Sequence, residues 1–370
     1  PVEDENQAPL RGLDKSDCGR NGSEPLTMTH IRQYGLAALL AVLTALAGHA
    51  QNGYSGAARG YATDSFEGFE AVDKDTRIPQ KEKSFWFWMS AHEKTPAAQL
   101  DYCVKLEALG RDKAARNAYE ALVREWPTSP QAAQAQFDFA RLLEKAGKYE
   151  RAFDEYQYLI THYAGNCPYS EVIDRQLRIA NSLFHNNTSM FGWKLSGTDA
   201  IRERYEQIVR NAPRSAVAPE VMLIIGGIRS SENERQEAIS VYDGLRNRFP
   251  SSPQATSAAF LAAQCRYELA VKHSYNEATC REAISFFKAV IARTPDHPQK
   301  GQIFAWQNEL TALLIEQNYQ QAVFYDTKQR KPEAAKTAYR RFLTEFADSK
   351  YAQKVRDRIM ELEKGTAPAK

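Results

Sequence analysis

Apolar residues recur along this chain with a helical period, and six times they do so in one fixed register. A small or aliphatic residue stands four positions before an aromatic one in Ala115/Tyr119, Ala152/Tyr156, Ile201/Tyr205, Ala238/Tyr242, Ala283/Phe287 and Ala335/Tyr339. The third and fourth positions beyond each aromatic read Leu122-Val123, Leu159-Ile160, Ile208-Val209, Leu245-Arg246, Val290-Ile291 and Phe342-Leu343. Positions i, i+4, i+7 and i+8 share one face of a 3.6-residue helix, so each set predicts an amphipathic helix with its aromatic in the buried stripe. Eight residues past each aromatic lie Pro127, Ala164, Pro213, Pro250, Pro295 and Ala347, where the helix should end. Aromatics are only 11% of the chain, so composition does not produce the coincidence.

A second set of Ala- and Leu-rich helices is expected to begin near Pro96, Gln131, Tyr169, Val217, Gln254 and Gln299, each preceding one striped helix. The turns that close the striped helices repeat their punctuation, as in Pro127-Thr-Ser-Pro130 and Pro250-Ser-Ser-Pro253, and their Ser or Asp can cap the helix that follows. Ala140, Gly226 and Ala263 stand eleven residues after Ser129, Ser215 and Ser252. Small residues there would let paired helices approach closely, with the tyrosine ring of the second lying over the gap. The expected fold is therefore all-α, a solenoid of about six helix pairs. The final helix, Tyr351–Glu363, keeps Val355, Ile359 and Leu362 on one face and suits a cap on the stack. Turn-to-turn spacings of 37, 49, 37, 45 and 52 residues exceed the tetratricopeptide period of about 34. The units are tetratricopeptide-like, with lengthened helices or inserted loops, the largest irregular insert being His185–Thr198.

The N-terminal part has a different character. Met28 opens a short polar stretch with Arg32, an apolar run follows from Gly35 to Ala47, and small residues precede Gln51. That three-part layout is a secretory signal over 28–50, and thirteen apolar residues are too short to span a bilayer as a helix. Residues 1–27 read as upstream sequence joined to the start at Met28. Residues 51–83 read as a flexible leader, 84–364 as the repeat domain and 365–370 as a disordered tail. At the domain entrance Phe85, Trp86, Phe87 and Trp88 form an aromatic cluster. It is expected to plug the open first repeat, and partner binding is the alternative.

Charge and chemistry change the picture little. A formal charge of +2 lacks the concentrated basic face that nucleic acid requires. No GxSxG, HExxH or phosphate-loop sequence is present: His92-Glu93 lacks a second His, and Gly192–Thr198 lacks the Lys after Gly197. The cysteines have no metal-ligand spacing. Beyond Cys18 they are Cys103, Cys167, Cys265 and Cys280, which allow three pairings; a bridge across the turn between Cys265 and Cys280 and separate buried thiols both remain open. No enzyme, cofactor, metal or small-molecule substrate is indicated.

Lys331–Ala352 (KPEAAKTAYRRFLTEFADSKYA) resembles the repeats of the BamD family of outer-membrane assembly lipoproteins, as do Tyr149–Tyr156 and Ala238–Ser252. The likeness covers roughly residues 95–364, and similar repeats occur in the periplasmic coordinator of the Tol–Pal system. The resemblance implies a non-enzymatic scaffold at the periplasmic face of the outer membrane. Its partners would be proteins of the β-barrel assembly machinery or a Tol–Pal-like complex. BamD proteins carry a lipidated Cys at the signal cleavage site, whereas this chain has Gln51, so membrane association would be indirect. The alternatives are a Tol–Pal-type or secretion-machinery adaptor and a hydrolase using the 185–198 insert.

Overall fold

The computed structural model describes residues 90–189 and 198–365. Two compact units divide the chain, Pro1–Gly56 and Ala57–Lys370, and all described residues belong to the second. The predicted signal, the leader, the Phe85–Trp88 cluster and the tail after Gly365 lie outside the described residues.

Thirteen α-helices and no strands are present among the described residues: α1 Pro96–Ala108, α2 Asp112–Glu125, α3 Pro130–Lys145, α4 Tyr149–His162, α5 Tyr169–Ser189, α6 Thr198–Asn211, α7 Ala218–Ser231, α8 Arg235–Arg248, α9 Pro253–Lys272, α10 Glu277–Arg293, α11 Lys300–Val323, α12 Pro332–Glu345 and α13 Ala352–Glu363. They form six antiparallel pairs, α1/α2 through α11/α12, closed by α13. Each helix packs chiefly on its neighbours in sequence, as a repeat stack requires. The first helices also touch one another, α1 on α3, α7 on α9 and α9 on α11, whereas α5 meets α3 and α7 only marginally. The chain is an all-α solenoid of tetratricopeptide-like pairs.

Each striped helix buries its aromatic for the same geometric reason. Tyr119, Tyr156, Tyr205, Tyr242, Phe287 and Tyr339 sit at mid-helix, facing the first helix of their own pair, and none is more than 3% exposed. Ala140 and Ala263 are fully buried. At Gly226 the approach is closest: a Cβ built there would lie 2.7 Å from Cζ and 2.8 Å from Cδ1 of the Tyr242 ring. Gly226→Ala should therefore destabilise the α7/α8 pair by about 1–3 kcal/mol, although alanine is the better helix former. A denaturant midpoint equal to or above wild type would show that the ring can simply move aside.

Where first helix turns into second, one feature escaped the sequence pattern. A residue with positive φ lies nine positions before the aromatic at Gly110, Gly147, Asn233 and Arg330. In the first three the next N–H reaches back across the turn, Arg111 to Leu106 O, Lys148 to Leu143 O and Glu234 to Arg229 O, at 2.9–3.0 Å. This is the left-handed C-terminal cap of a helix, and it fixes the angle at which α2, α4 and α8 return. In the last pair α11 passes through a π-helical turn, Phe324–Lys328, before Arg330.

Two expectations need correction. Of the turn serines, Ser252 caps α9 by accepting from Ala255 N at 3.2 Å, but Ser129 makes no side-chain cap, and the Ser215 hydroxyl donates back to Ala212 O. Pro at the first turn supplies helical φ in both α3 and α9, so each helix can start there with or without the serine cap. The insert predicted over His185–Thr198 is also shorter. Helix α5 continues to Ser189 and α6 already includes Thr198, since no Gly or Pro interrupts the chain before Gly192; residues 190–197 lie outside the described set.

Candidate functional site

The buried aromatics and small residues singled out by the sequence are distributed one set per pair. They build the stack. What they leave at the surface is the outward face of the first helices. On α3 it carries Gln134, Arg141 and Lys145, with the buried Asp138 on the same stripe, spaced by four, three and four residues. On α5 the same spacing places Glu171, Arg175, Arg178 and Ser182. Because α5 stands off from α3, a cleft of about 480 Å³ opens between them, lined by Arg141, Glu144, Lys145, Tyr149, Arg175, Arg178, Ile179 and Ser182.

The cations of this cleft are tied down. Arg141 donates to both Glu107 oxygens at 2.7 and 2.9 Å and to Asp138 at 2.9–3.1 Å. Arg175 donates to Glu144 at 3.0 Å and Glu171 at 2.8 Å, and its guanidinium also lies over the Phe137 ring. Burial works against the charge of Arg175, but hydrogen bonds to Glu171 and Glu144 raise its pKa overall. Lys145 pairs with Asp112 at 2.7 Å. The surface therefore presents alternating charges, suited to a partner with matching groups of both signs and ill suited to a polyanion.

Beneath this surface runs a relay that the sequence reading missed. The phenol of Tyr156 donates to Glu144 at 3.0 Å, that of Tyr119 to Glu107 at 3.4 Å, and that of Tyr339 to Asp326 at 3.2 Å. Each carboxylate also accepts from an arginine of the following first helix or cap: Arg175, Arg141 and Arg358 respectively. Each acid thus joins its own pair to the next. The signal lay in the spacing, an acid twelve or thirteen residues before the tyrosine and an arginine 31 to 34 residues after the acid. Buried glutamines add a second tie: Gln99 donates to Ala118 O at 3.1 Å and Gln136 to Glu155 O at 2.9 Å, both nineteen residues on. Burial, with Glu144 next, lifts the Tyr156 phenol far above its usual range, so it remains a donor at any physiological pH.

Towards the C-terminus the first helices meet through rings. Trp306 of α11 stacks on Tyr267 at 5.2 Å and on Phe260 at 5.4 Å, both from α9, and Tyr267 donates to Glu309 at 2.7 Å. Phe304, two residues before Trp306 on the same helix, is 39% exposed.

Cys103, Cys167, Cys265 and Cys280 are free thiols. Burial pushes Cys103 up to about 12 and Cys167 and Cys265 up to about 11, and it raises Cys280 as well. These are protonated packing groups, since a nucleophilic cysteine needs a lowered pKa. Among the described residues no group of three or more His, Cys, Asp or Glu could hold a metal ion, and no helix is long and apolar enough to cross a membrane.

No family model and no curated protein matches this chain. Solved structures that resemble it include a tetratricopeptide repeat protein from Parabacteroides merdae, 14% identical, with 72% of this chain and 98% of that one covered at a TM-score of 0.30. Another is the C-terminal part of a TPR repeat-containing protein from Cytophaga hutchinsonii, 15% identical over 71% and 88% at a TM-score of 0.30. A thermophilic TPR protein from Thermus thermophilus is 16% identical over 60% and 100% at a TM-score of 0.23.

Proposed function

We propose that this chain is a non-enzymatic scaffold that binds protein partners through the outward face of its first helices, in the periplasm of a diderm bacterium, as an envelope-assembly factor of the BamD type. One observation carries the reading: the buried side chains of each pair are committed to packing, and the face left over on α3 and α5 is a display of paired charges flanking the α3–α5 cleft. A repeat stack has such a face as its natural binding surface. The BamD-like stretch Lys331–Ala352 and the signal-like segment 28–50 support the compartment and the class of partner.

A second reading rests on Gln51. Without a cysteine at the cleavage site the chain lacks the residue that a BamD lipid anchor uses, which favours a soluble adaptor of the Tol–Pal coordinator type. Titrating the mature chain against the purified periplasmic domains of the β-barrel insertase, and separately against Tol–Pal components, separates the two. Binding to neither would remove both. Export is tested independently by N-terminal sequencing of the protein from native envelopes. The expected first residue is Gln51, and an intact Met28 start would overturn periplasmic placement.

A further inference from the structure

At the start of the described stack, α1 keeps a face that no earlier pair covers. Gln99, Glu107 and Tyr119 recur 37 residues on as Gln136, Glu144 and Tyr156, so the first two pairs can be compared position by position. In α3, which packs on α2 and α1, Ala135, Phe139 and Leu142 form a stripe no more than 1% exposed. Their counterparts on α1 are the half-buried Ala98 and Tyr102 and the exposed Lys105. The stripe ends in Leu109, which is 69% exposed where the next pair has the small Ala146. The chain that enters α1 already begins to cover this face. Thr95 accepts from Ala98 N at 3.3 Å, Glu93 N donates to Gln99 Oε1 at 2.8 Å, and the His92 ring stacks on Tyr102 with centroids 4.2 Å apart. Each step upstream lies further along α1, so the entering chain runs back over the helix from its N-terminus towards Leu109.

We propose that Phe85–Met89 seats on this end face of α1, over Lys105 and Leu109, and closes the first pair in cis. The segment reads Phe-Trp-Phe-Trp-Met and lies just upstream of Ser90, where the described residues begin. From Tyr102 to Leu109 is about 10 Å along the helix, from its rise per residue. Trp88 is four residues from His92, a reach of up to about 13 Å in extended chain, so the register set by His92 delivers the aromatic run to Leu109. The chemistry matches. Indole and phenyl rings gain by leaving water against Leu109, and Lys105 can lay its stem and ammonium over a ring face. A tether this short holds the rings at an effective concentration on the order of millimolar or above, which disfavours a second copy or another protein as the occupant. The seat is independent of the envelope-scaffold reading, and it leaves the charged face of α3 and α5 open.

The test measures acrylamide quenching of Trp86 and Trp88 in the full chain, read as the difference between wild type and the Trp86→Phe/Trp88→Phe variant. Acrylamide is neutral, so surface charge does not bias it. Both indoles should be shielded at concentrations where light scattering shows a monomer. Leu109→Gln removes the apolar floor of the seat from an exposed position. It should weaken docking about tenfold and raise quenching of the pair at unchanged helicity. Val104→Gln is the control: Val104 is 53% exposed but five residues from Leu109, about 140° round the helix, and its replacement should change nothing. Free quenching in wild type would overturn the seat and return the cluster to partner binding. Shielding that survives Leu109→Gln, or that Val104→Gln relieves equally, would place the rings elsewhere and overturn it too. Shielding that appears only as the chain dimerises would give the seat to a second copy and contradict closure in cis.

Discussion

Replacing Tyr156 by alanine should cost about 3–5 kcal/mol of stability in the α3–α5 region, the range seen for deleting a buried aromatic. The ring is fully buried and packs 6.0 Å from Phe137. Truncation also removes the phenol that donates to Glu144, leaving that carboxylate to Arg175 and, at 4.0 Å, Arg178. Tyr156→Phe separates the two contributions. It keeps the ring and should cost only about 0.5–1.5 kcal/mol, the worth of one hydrogen bond. Phe287 already stands at the equivalent position of the fifth pair without a hydroxyl, fully buried, so the ring alone can fill the site. Because repeats depend on their neighbours, hydrogen exchange should rise first in α3 to α6 and only later in α9 to α13. A uniform rise along the chain would argue that the pairs are not separable units.

The second large effect is expected at the C-terminal cap. Asp326 is 5% exposed, and Arg358 of α13 reaches it with two donors, at 2.7 and 3.0 Å, while Tyr339 supplies a third. The hydrogen bond to Asp326 raises the pKa of Arg358 against the opposing effect of burial. Arg358→Leu would strand a carboxylate in the interior, a change that typically costs about 3–5 kcal/mol, and α13 should detach. Adding Asp326→Asn removes the stranded charge and should restore part of the loss. If the double variant is no more stable than Arg358→Leu, the damage comes from lost packing of the arginine stem and not from the buried charge. Circular dichroism and denaturant titration of the three proteins decide between them.

The six pairs were legible because two simple signals coincide. A buried stripe of period 3.6 marked each second helix, and proline-rich turns marked its end. The observed starts Pro96, Pro130, Tyr169, Ala218, Pro253 and Lys300 lie within one residue of the sequence expectation. The inner turns were harder to see. Gly110 and Gly147 announce a left-handed cap and Asn233 is the side chain that enters it most readily, but Arg330 adopts the same conformation with a side chain that rarely does. Only the register to the aromatic, nine residues on, unites the four. The relay through Glu107, Glu144 and Asp326 was missed for a related reason. Each of these acids sits on a first helix, or in the π turn after one, where a charge reads as solvated until the next repeat is placed against it.

The central claim, that the outward face of the first helices is where a protein partner docks, is best tested by site-specific photo-crosslinking in living cells. A photoreactive residue is placed at Gln134 of α3 or Arg178 of α5 on that face, and at Glu125 of α2 or Glu203 of α6 on exposed positions of the second helices. Adducts with one and the same protein from positions 134 and 178, and none from 125 and 203, are the expected result. Adducts confined to 125 and 203 would place docking on the other layer and contradict the account.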